Sequence, residues 1–246
     1  MPELRDEFSK LAEQYAKNRP RYPAALFEHL ARVTSGHELA WDCGTGSGQT
    51  AVRLAESFDQ VIATDISDQQ IEHARSHPRV SYRVAPSEQS GLKSGSVDIV
   101  TASQAAHWFQ IDEFYREVRR VLKPGGILAI WCYGLLSVAD ELDRAVERLH
   151  NDLLGPYWPK RTLEDHAYAD IPFPFDELPK RQFQMKMSWT LDQFRNYFRT
   201  WSASLLYLED KGVDPVSIVE EDFRKAWGEP EKARTVTWPV YLRHGA

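Results

Sequence analysis

The stretch Leu39-Ala-Trp-Asp-Cys-Gly-Thr-Gly-Ser-Gly-Gln-Thr50 decides the fold of this chain. An apolar run ends in glycines at alternate positions, and the helical pattern Thr50-Ala-Val-Arg-Leu-Ala-Glu56 follows it. Glycine tolerates positive φ and lets a ligand approach the backbone closely. The first turn of a helix adds unsatisfied N–H groups and a partial positive charge. The stretch therefore predicts a strand, a tight turn and a helix, with the turn either cradling a nucleotide or serving only the fold.

Two acidic residues sharpen this prediction. Asp42 lies two residues before Gly44, and Asp65 closes the next apolar run, 21 residues after Gly44. A carboxylate at the end of the second strand is placed to accept hydrogen bonds from ribose hydroxyls. The dinucleotide fingerprint G-x-G-x-x-G is not matched, because Gln49 stands where its third glycine would fall.

This set resembles the class I S-adenosylmethionine-dependent methyltransferases. Two later segments, Gly95-Ser-Val-Asp-Ile-Val-Thr101 and Glu117-Val-Arg-Arg-Val-Leu-Lys-Pro-Gly-Gly-Ile-Leu128, also look like motifs of that family, so the resemblance covers roughly residues 8–133. The opening Phe8…Tyr15…Arg19-Pro-Arg-Tyr-Pro23 and the segment Gln104-Ala-Ala-His-Trp108 are most similar to a small-molecule branch that includes trans-aconitate methyltransferases. The resemblance implies S-adenosyl-L-methionine as the cofactor.

The resemblance also implies a set of cofactor-binding residues. Asp65 would bind the ribose, and Ile66 would cover the adenine beside residues 87–88. A helix cap would also explain Asp65 and Ser87, and ordinary core packing would explain Ile66. Tyr15 and its neighbours would fold over the cofactor carboxylate, or would form solvated surface. The predicted cofactor site consists of Asp42, Gly44, Thr45, Gly46, Gly48, Asp65, Ile66, Ser87, Glu88, Gln104, Tyr15, Arg19 and Tyr22.

The catalytic candidate is His107, in the segment that follows the fourth predicted strand. Ligands of open α/β sheets bind outside the carboxyl ends of the strands. An imidazole has an unperturbed pKa of about 6.5 and suits a general base. The alternative is a hydrogen-bonded structural histidine packed beside Trp108.

The periodicity predicts alternating strands and helices after two N-terminal helices, 3–17 and 24–33. Apolar strands that alternate with helices form a parallel sheet covered on both faces. We expect a Rossmann-like, doubly wound α/β fold, and the resemblance implies seven strands with the last one antiparallel. Strands are predicted at 39–43, 60–65, 79–84, 97–102, 127–132, 181–189 and 235–243, and the later helices at 48–57, 68–77, 111–121, 139–154, 191–207 and 214–227. Residues 123–126 are predicted to form a turn, and Pro239 suggests an edge or a bulge.

We predict one methyltransferase domain with four parts. Residues 1–36 form a helical cap and residues 37–134 the cofactor-binding core. Residues 135–180 form an aromatic substrate cover, since the stretch after 155 is long for a passive connection. Residues 181–246 complete the sheet.

Composition narrows the function classes. The net charge is −6, with no long basic run, which disfavours a nucleic-acid partner. The apolar runs are too short to cross a membrane, and no histidine, cysteine and acid spacing indicates a metal site. Cys43 and Cys132 are expected to be buried thiols rather than a disulfide. The expected address is the cytoplasm, and the expected state a monomer or homodimer.

The predicted function is transfer of a methyl group from S-adenosyl-L-methionine to a small-molecule acceptor, with O-methylation of a carboxylate as the hypothesis. Aromatic residues after 150, with arginines at 161, 181, 195 and 199, suit an apolar acid. The alternatives are methylation of a protein or nucleic acid, an NAD-dependent oxidoreductase, which the missing third glycine disfavours, and a non-catalytic cofactor-binding partner protein.

Overall fold

The structure is a computed structural model that describes residues 20–158 and 167–246. The predicted helix over residues 3–17, together with Tyr15 and Arg19, lies outside the described residues. The contacts between Cα atoms divide the chain into two compact units, which are described separately. The core unit comprises Tyr22–Gly134, Thr162–Gln184 and Pro239–Ala246, and the second unit comprises Met1–Arg21, Leu135–Arg161 and Met185–Trp238.

The core unit alternates helices and strands as the periodicity predicts. Its elements are α1 (Ala24–Val33), β1 (Leu39–Cys43), α2 (Gln49–Leu54), β2 (Gln60–Asp65), α3 (Asp68–Glu72), β3 (Val80–Val84), β4 (Val97–Ser103), α4 (Ile111–Val121) and β5 (Leu122–Tyr133). Helix α3 is shorter than predicted, although Ser67 caps it as expected by accepting from the N–H of Gln70. It ends early because the N–H of Arg75 donates to the carbonyl of Ser47 in the glycine turn, 3.1 Å away.

Seven strands form one sheet in the order β3-β2-β1-β4-β5-β7-β6, where β6 is Arg181–Trp189 and β7 is Arg234–Gly245. Strand β1 pairs in parallel with both β2 and β4, and β5 is antiparallel to β7. The predicted Rossmann-like sheet with an antiparallel last strand is confirmed. The carboxyl ends of β1, β2, β3 and β4 therefore meet at one edge, which we call the carboxyl edge.

Two local predictions about the sheet are wrong, the turn at residues 123–126 and the edge position suggested by Pro239, while the alternative of a bulge at Pro239 stays a prediction. The segment 123–126 is not a separate turn but lies inside β5, where Val97 pairs with Leu122 and Ile99 already pairs with Ile127. This bulge lets the Lys123 ammonium contact Asp98 at 2.8 Å. Strand β7 is not an edge, because it lies between β5 and β6, and its pairing with β5 ends at Val240, beside the proline that has no N–H.

The core of this unit packs both faces of the sheet. On one face, Phe114 and Val118 of α4 pack with Trp41, Val100 and Ile130 in one buried cluster. Burying each such large apolar side chain contributes about 1.5–3 kcal/mol. The buried positions predicted for the two cysteines, Cys43 and Cys132, are confirmed.

The second unit is helical and aromatic. It contains α5 (Asp140–Glu147), a π-helical segment (Arg148–Leu153), a short 3₁₀ turn (Gly155–Tyr157), α6 (Leu191–Arg199), α7 (Ser202–Lys211), α8 (Pro215–Ile218) and α9 (Glu220–Trp227). The helix predicted over 191–207 is broken at Thr200, whose hydroxyl bonds the carbonyl of Tyr197 at 2.6 Å. Trp201 is then buried against Phe198, with ring centroids 4.9 Å apart, so aromatic packing overrides helix propensity here.

Two of the boundaries between the units fall inside β6 and β7, and the single-domain prediction stays a prediction. Across residues 20–158 and 167–246, we find no helix with the length and apolar character that a membrane span requires.

Candidate active site

The glycine turn joins β1 to α2 at the carboxyl edge. Gly44, Gly46 and Gly48 all have positive φ, at 67°, 53° and 75°. The turn is closed by the N–H of Gly48, which donates to the carbonyl of Thr45 at 3.0 Å. The N–H of Thr45 donates to Thr64 of β2 and ties the turn to the neighbouring strand.

The three glycines have different surroundings. A Cβ on Gly44 would lie 2.6 Å from the Cβ of Ala105, and a Cβ on Gly48 would overlap the hydroxyl of Tyr82. The protein's own packing therefore requires glycine at these two positions. Among residues 20–158 and 167–246, a Cβ on Gly46 would approach only the Gln70 side chain, at 3.9 Å, so none of these residues fills the space in front of Gly46.

Asp42 supports this turn from inside. Its carboxylate is fully buried and accepts hydrogen bonds from the hydroxyls of Thr45, at 2.6 Å, and Thr101, at 2.7 Å. Burial raises the pKa of Asp42 to about 6, and the two hydroxyl bonds oppose that shift. What the structure assigns to Asp42 is the ordering of the turn, and direct contact with a cofactor stays a prediction.

Asp65 ends β2 beside the turn. Its Oδ2 accepts from the N–H of Gly46 at 2.8 Å, and its Oδ1 accepts from the N–H of Ser67 at 3.0 Å. A carboxylate oxygen has a second lone pair, so both oxygens keep capacity for ribose hydroxyls. Ile66 is 76% exposed, which is unusual for so large an apolar side chain next to a buried strand and suits a surface that an adenine ring would cover.

Residues 87–88 follow β3 at the same edge. Ser87 is buried, and its hydroxyl donates to Glu88 Oε2 at 3.0 Å. Glu117 of α4 holds this loop, because its carboxylate accepts hydrogen bonds from both the N–H and the hydroxyl of Ser90. Arg120 pairs with Glu117 at 2.7 Å, so this buried carboxylate is neutralised where it holds the loop.

Gln104 and Tyr22 come together near the end of β5. Gln104 has φ +50°, which is uncommon for a residue other than glycine, and its side-chain oxygen accepts from the N–H of Tyr133 at 3.2 Å. The ring of Tyr22 packs edge-on against Trp131, with centroids 5.6 Å apart. The amide nitrogen of Gln104 keeps its donor capacity for a ligand.

His107 lies in the 3₁₀ turn Ala106–Trp108, after β4. The residue is only 5% exposed, and its Nδ1 lies 2.9 Å from the hydroxyl of Tyr168. Trp108 is 58% exposed, with its ring centroid 5.1 Å from that of His107. The contact between His107 and Tyr168 was not predicted, since the two residues lie 61 positions apart and no local pattern connects them.

Of the cover predicted over residues 135–180, the part that the structure describes within the core unit, residues 167–180, lies only partly near this edge. Tyr168 reaches His107, but Phe173 and Phe175 do not cover the turn: the carbonyl of Pro172 accepts from Tyr115, and that of Pro174 from Arg119. These residues run along α4 toward the amino-terminal end of β5. Within the second unit, Arg195 and Arg199 are paired with carboxylates of that unit, so the predicted arginine contacts to an acid lose support at these two positions.

Most of the predicted cofactor residues that the structure describes lie on adjacent segments of one edge. The turn between β1 and α2 is hydrogen-bonded to the end of β2. The loops that follow β3 and β4 begin at the same edge, because these strands are parallel to β1 and β2. The Gln104 amide, the Asp65 carboxylate and the exposed Ile66 side chain fit an adenosine-containing cofactor. Other contributors to this edge, Tyr82, Thr101, Glu117 and Tyr168, were not singled out as site residues from the sequence, because their contacts are long-range.

Comparison with known proteins defines the class. The family described as "Methyltransferase domain" matches residues 41–130. A Dictyostelium discoideum protein named as a candidate methyltransferase is 34% identical over 245 residues, which cover 96% of this chain and 93% of that protein. An uncharacterized methyltransferase of Schizosaccharomyces pombe is 35% identical over 205 residues, covering 80% of this chain and 79% of that protein.

A solved structure agrees with these relatives. A candidate type II methyltransferase from Anaeromyxobacter dehalogenans has 44% sequence identity and a TM-score of 0.88, covering 92% of this chain and 97% of that chain. Fold, site and relatives together define a class I methyltransferase. This chain belongs to that family, is an enzyme, and uses S-adenosyl-L-methionine as its cofactor.

Proposed function

We propose that this enzyme transfers the methyl group of S-adenosyl-L-methionine to a carboxylate of a small acceptor and forms a methyl ester. The observation that carries the proposal is the burial of His107, which is 5% exposed and bonded to Tyr168. A group enclosed in this way can contact a small molecule that enters the site, but hardly a residue on the surface of a macromolecule.

The charge of the chain supports a small acceptor. A net charge of −6 disfavours a polyanionic substrate, whose phosphates would need a basic surface. The segment Gln104–Trp108 is also similar to the small-molecule branch that includes trans-aconitate methyltransferases. Methylation of a protein or a nucleic acid, and cofactor binding without catalysis, are the outcomes that would replace this proposal.

A carboxylate acceptor matches the chemistry that the site offers. A carboxyl group is already ionised at neutral pH, so its methylation needs no general base. The bound cofactor supplies an electrophilic methyl group on a sulfonium. The protein then has to hold the two reactants in line, and such alignment contributes about 7–11 kcal/mol at best.

We assign roles to the residues of the carboxyl edge on this basis. Asp65 holds the ribose beside Gly46, and Ile66 lies under the adenine. Gln104 and Tyr22 hold the amino-acid part of the cofactor. His107 contacts the acceptor beside the methyl group.

A labelling experiment tests the proposal. The enzyme is incubated with a metabolite extract and isotopically methyl-labelled S-adenosyl-L-methionine, and labelled products are identified by mass before and after mild alkali. We expect a labelled ester that alkali cleaves to labelled methanol, and less label with the Asp65→Ala variant at a cofactor concentration below saturation. Alkali-stable label on an amine, a carbon or a phenol, or label on protein or nucleic acid, would replace the proposed acceptor.

A further inference from the structure

We infer that Tyr82 is a positioning residue for the glycine turn: its hydroxyl holds the main chain at Arg75, and Arg75 in turn holds the turn at Ser47. The inference rests on the proposed contact between this turn and the cofactor. It does not depend on the identity of the acceptor, because all three residues belong to the cofactor side of the core unit.

The first link is a hydrogen bond from β3. The hydroxyl of Tyr82 donates to the main-chain carbonyl of Arg75 across 2.6 Å. Arg75 follows the end of α3, in the segment that leads to β3, whereas Tyr82 is paired with Ala63 in the parallel ladder between β2 and β3. The bond therefore ties a segment outside regular secondary structure to a strand of the sheet.

The second link runs from that segment to the glycine turn. The N–H of Arg75 donates to the carbonyl of Ser47 at 3.1 Å, and Ser47 lies between the second and third glycines of the turn. The two main-chain groups of Arg75 thus connect the turn to the sheet. A change at the Tyr82 hydroxyl is transmitted to the turn through this one residue.

The ring of Tyr82 also lies against the turn. A Cβ on Gly48 would overlap the hydroxyl and would come within 2.9 Å of Cζ of the ring. Gly48 has φ +75°, a conformation that glycine adopts without steric cost. Tyr82 therefore contributes both a packing surface and a hydrogen bond, and removing the hydroxyl alone separates the two contributions.

The hydroxyl of Tyr82 carries its proton at neutral pH. Burial raises the pKa of Tyr82 to about 12; the negative charge of Asp42 adds to the shift and the positive charge of Arg75 opposes it. A main-chain carbonyl can only accept a hydrogen bond, so the direction of the bond is fixed. The link from β3 to Arg75 is therefore available wherever the phenol is protonated.

These contacts act on a backbone that is flexible by composition. The turn contains three glycines, and glycine loses more conformational freedom on ordering than any other residue. Two of the bonds that reach the turn from outside come from Asp65, at Gly46, and from Arg75, at Ser47. A turn that is ordered before binding pays less entropy when the ligand arrives. Tyr82 should therefore raise the affinity for the cofactor by stabilising the ordered turn.

Amide hydrogen exchange of the enzyme without cofactor tests the positioning step. We expect the Arg75 amide to exchange about 3- to 10-fold faster in Tyr82→Phe than in the wild type, because losing one hydrogen bond makes local opening of this segment easier by such a factor. The variant keeps the aromatic ring against Gly48, so the packing of the turn is retained.

Tyr115→Phe is the matched control. The Tyr115 hydroxyl also donates to a main-chain carbonyl at 2.6 Å, that of Pro172, beside α4 in a different part of the core unit. Both variants lose one hydroxyl and keep the ring, so both should fold, with a similar small decrease in Tm. Exchange of the Arg75 amide in Tyr115→Phe should equal that of the wild type.

Calorimetric titration of S-adenosylhomocysteine provides the second readout. Tyr82→Phe should raise Kd about 3- to 10-fold, whereas Tyr115→Phe should leave Kd unchanged. An unchanged exchange rate at Arg75 in Tyr82→Phe would overturn the positioning role. An equal rise of Kd in both variants would also overturn it, because the effect would then be a general loss of stability.

The two measurements keep this inference apart from the proposals on which the site is built. Faster exchange in Tyr82→Phe with an unchanged Kd would overturn the inference by separating the ordered turn from cofactor binding. Neither measurement uses an acceptor. An amine or phenol product would therefore overturn the proposed function and leave the role of Tyr82 standing.

Discussion

The main-chain N–H of Gly46 donates a hydrogen bond to Oδ2 of Asp65 across 2.8 Å. This bond joins the turn after β1 to the end of β2, and the other carboxylate oxygen is held by Ser67. The carboxylate is thus oriented before any ligand arrives, which lowers the entropy cost of binding. Gly46 and Asp65, which the sequence predicts to bind the same cofactor, are therefore in direct contact.

Substitutions at Gly46 and Gly48 should separate binding from folding. Gly46→Asn places a side chain in the open space of the turn, and asparagine tolerates the positive φ, so we expect near-wild-type stability and at least about tenfold weaker binding of S-adenosylhomocysteine. Gly48→Ala forces a methyl group against Tyr82, and overpacking of this kind costs about 1–3 kcal/mol.

Thermal unfolding and calorimetric titration of both variants check this prediction. Gly48→Ala should unfold several degrees earlier, whereas Gly46→Asn should lose affinity with little change in Tm. If Gly46→Asn binds S-adenosylhomocysteine as the wild type does, the open face of the turn is not the cofactor site.

The buried histidine pair of the core unit should make its stability depend on pH. Nε2 of His29 lies 2.9 Å from Nε2 of His244. Burial lowers the pKa of His244 to about 4, and the charge of Arg181 adds to this shift while Glu177 opposes it. Burial also lowers the pKa of His29, and the charges of Arg181 and Arg32 add to that shift. Since the unfolded value is about 6.5, the unfolded chain binds protons first, and stability is lost as the pH falls from about 6.5 toward 4.

Asp42 titrates over an overlapping pH range, and its effect on stability has the opposite sign to that of the histidines. The pKa of Asp42 is about 6 in the folded protein and about 3.9 in the unfolded chain. Its contribution to stability is therefore favourable below about pH 3.9 and is lost as the pH rises toward about 6. The difference between variants therefore isolates the histidines. Urea unfolding from pH 4 to 7.5 should show a smaller loss at low pH for the double variant His29→Leu/His244→Leu, whereas His73→Gln, at an exposed site, should follow the wild type. Equal slopes for all three proteins would exclude the pair as the cause.

The sequence predicts what depends on local pattern. The apolar runs of β1, β2 and β4, the glycine turn and the carboxylate of Asp65 are read from spacing, because strand burial and turn chemistry depend on neighbouring residues. The end of α6 at Arg199 cannot be predicted from spacing, because it depends on the burial of Trp201. The shortening of α3 likewise depends on the long-range bond from Arg75 to Ser47.

The candidate site shows the same division. Its cofactor side follows from the residues between Asp42 and Asp65, which are close in sequence. The surroundings of His107 depend on Tyr168, which lies in a turn with positive φ whose carbonyl accepts from Arg243. Aromatic composition suggests a cover over the site, but Phe175 packs on Tyr115 instead, with ring centroids 5.7 Å apart. Composition alone cannot say which surface an aromatic side chain covers.

The central claim is that the edge between Gly46 and Asp65 holds the cofactor. Calorimetric titration of S-adenosylhomocysteine into the wild type, Asp65→Ala and Asp68→Ala tests it most directly, since Asp68 is an exposed carboxylate three residues further along. Losing a hydrogen bond to a charged group costs about 1.5–3 kcal/mol, so Asp65→Ala should raise Kd about tenfold or more while Asp68→Ala leaves it unchanged. A Kd for Asp65→Ala equal to that of the wild type would contradict the account.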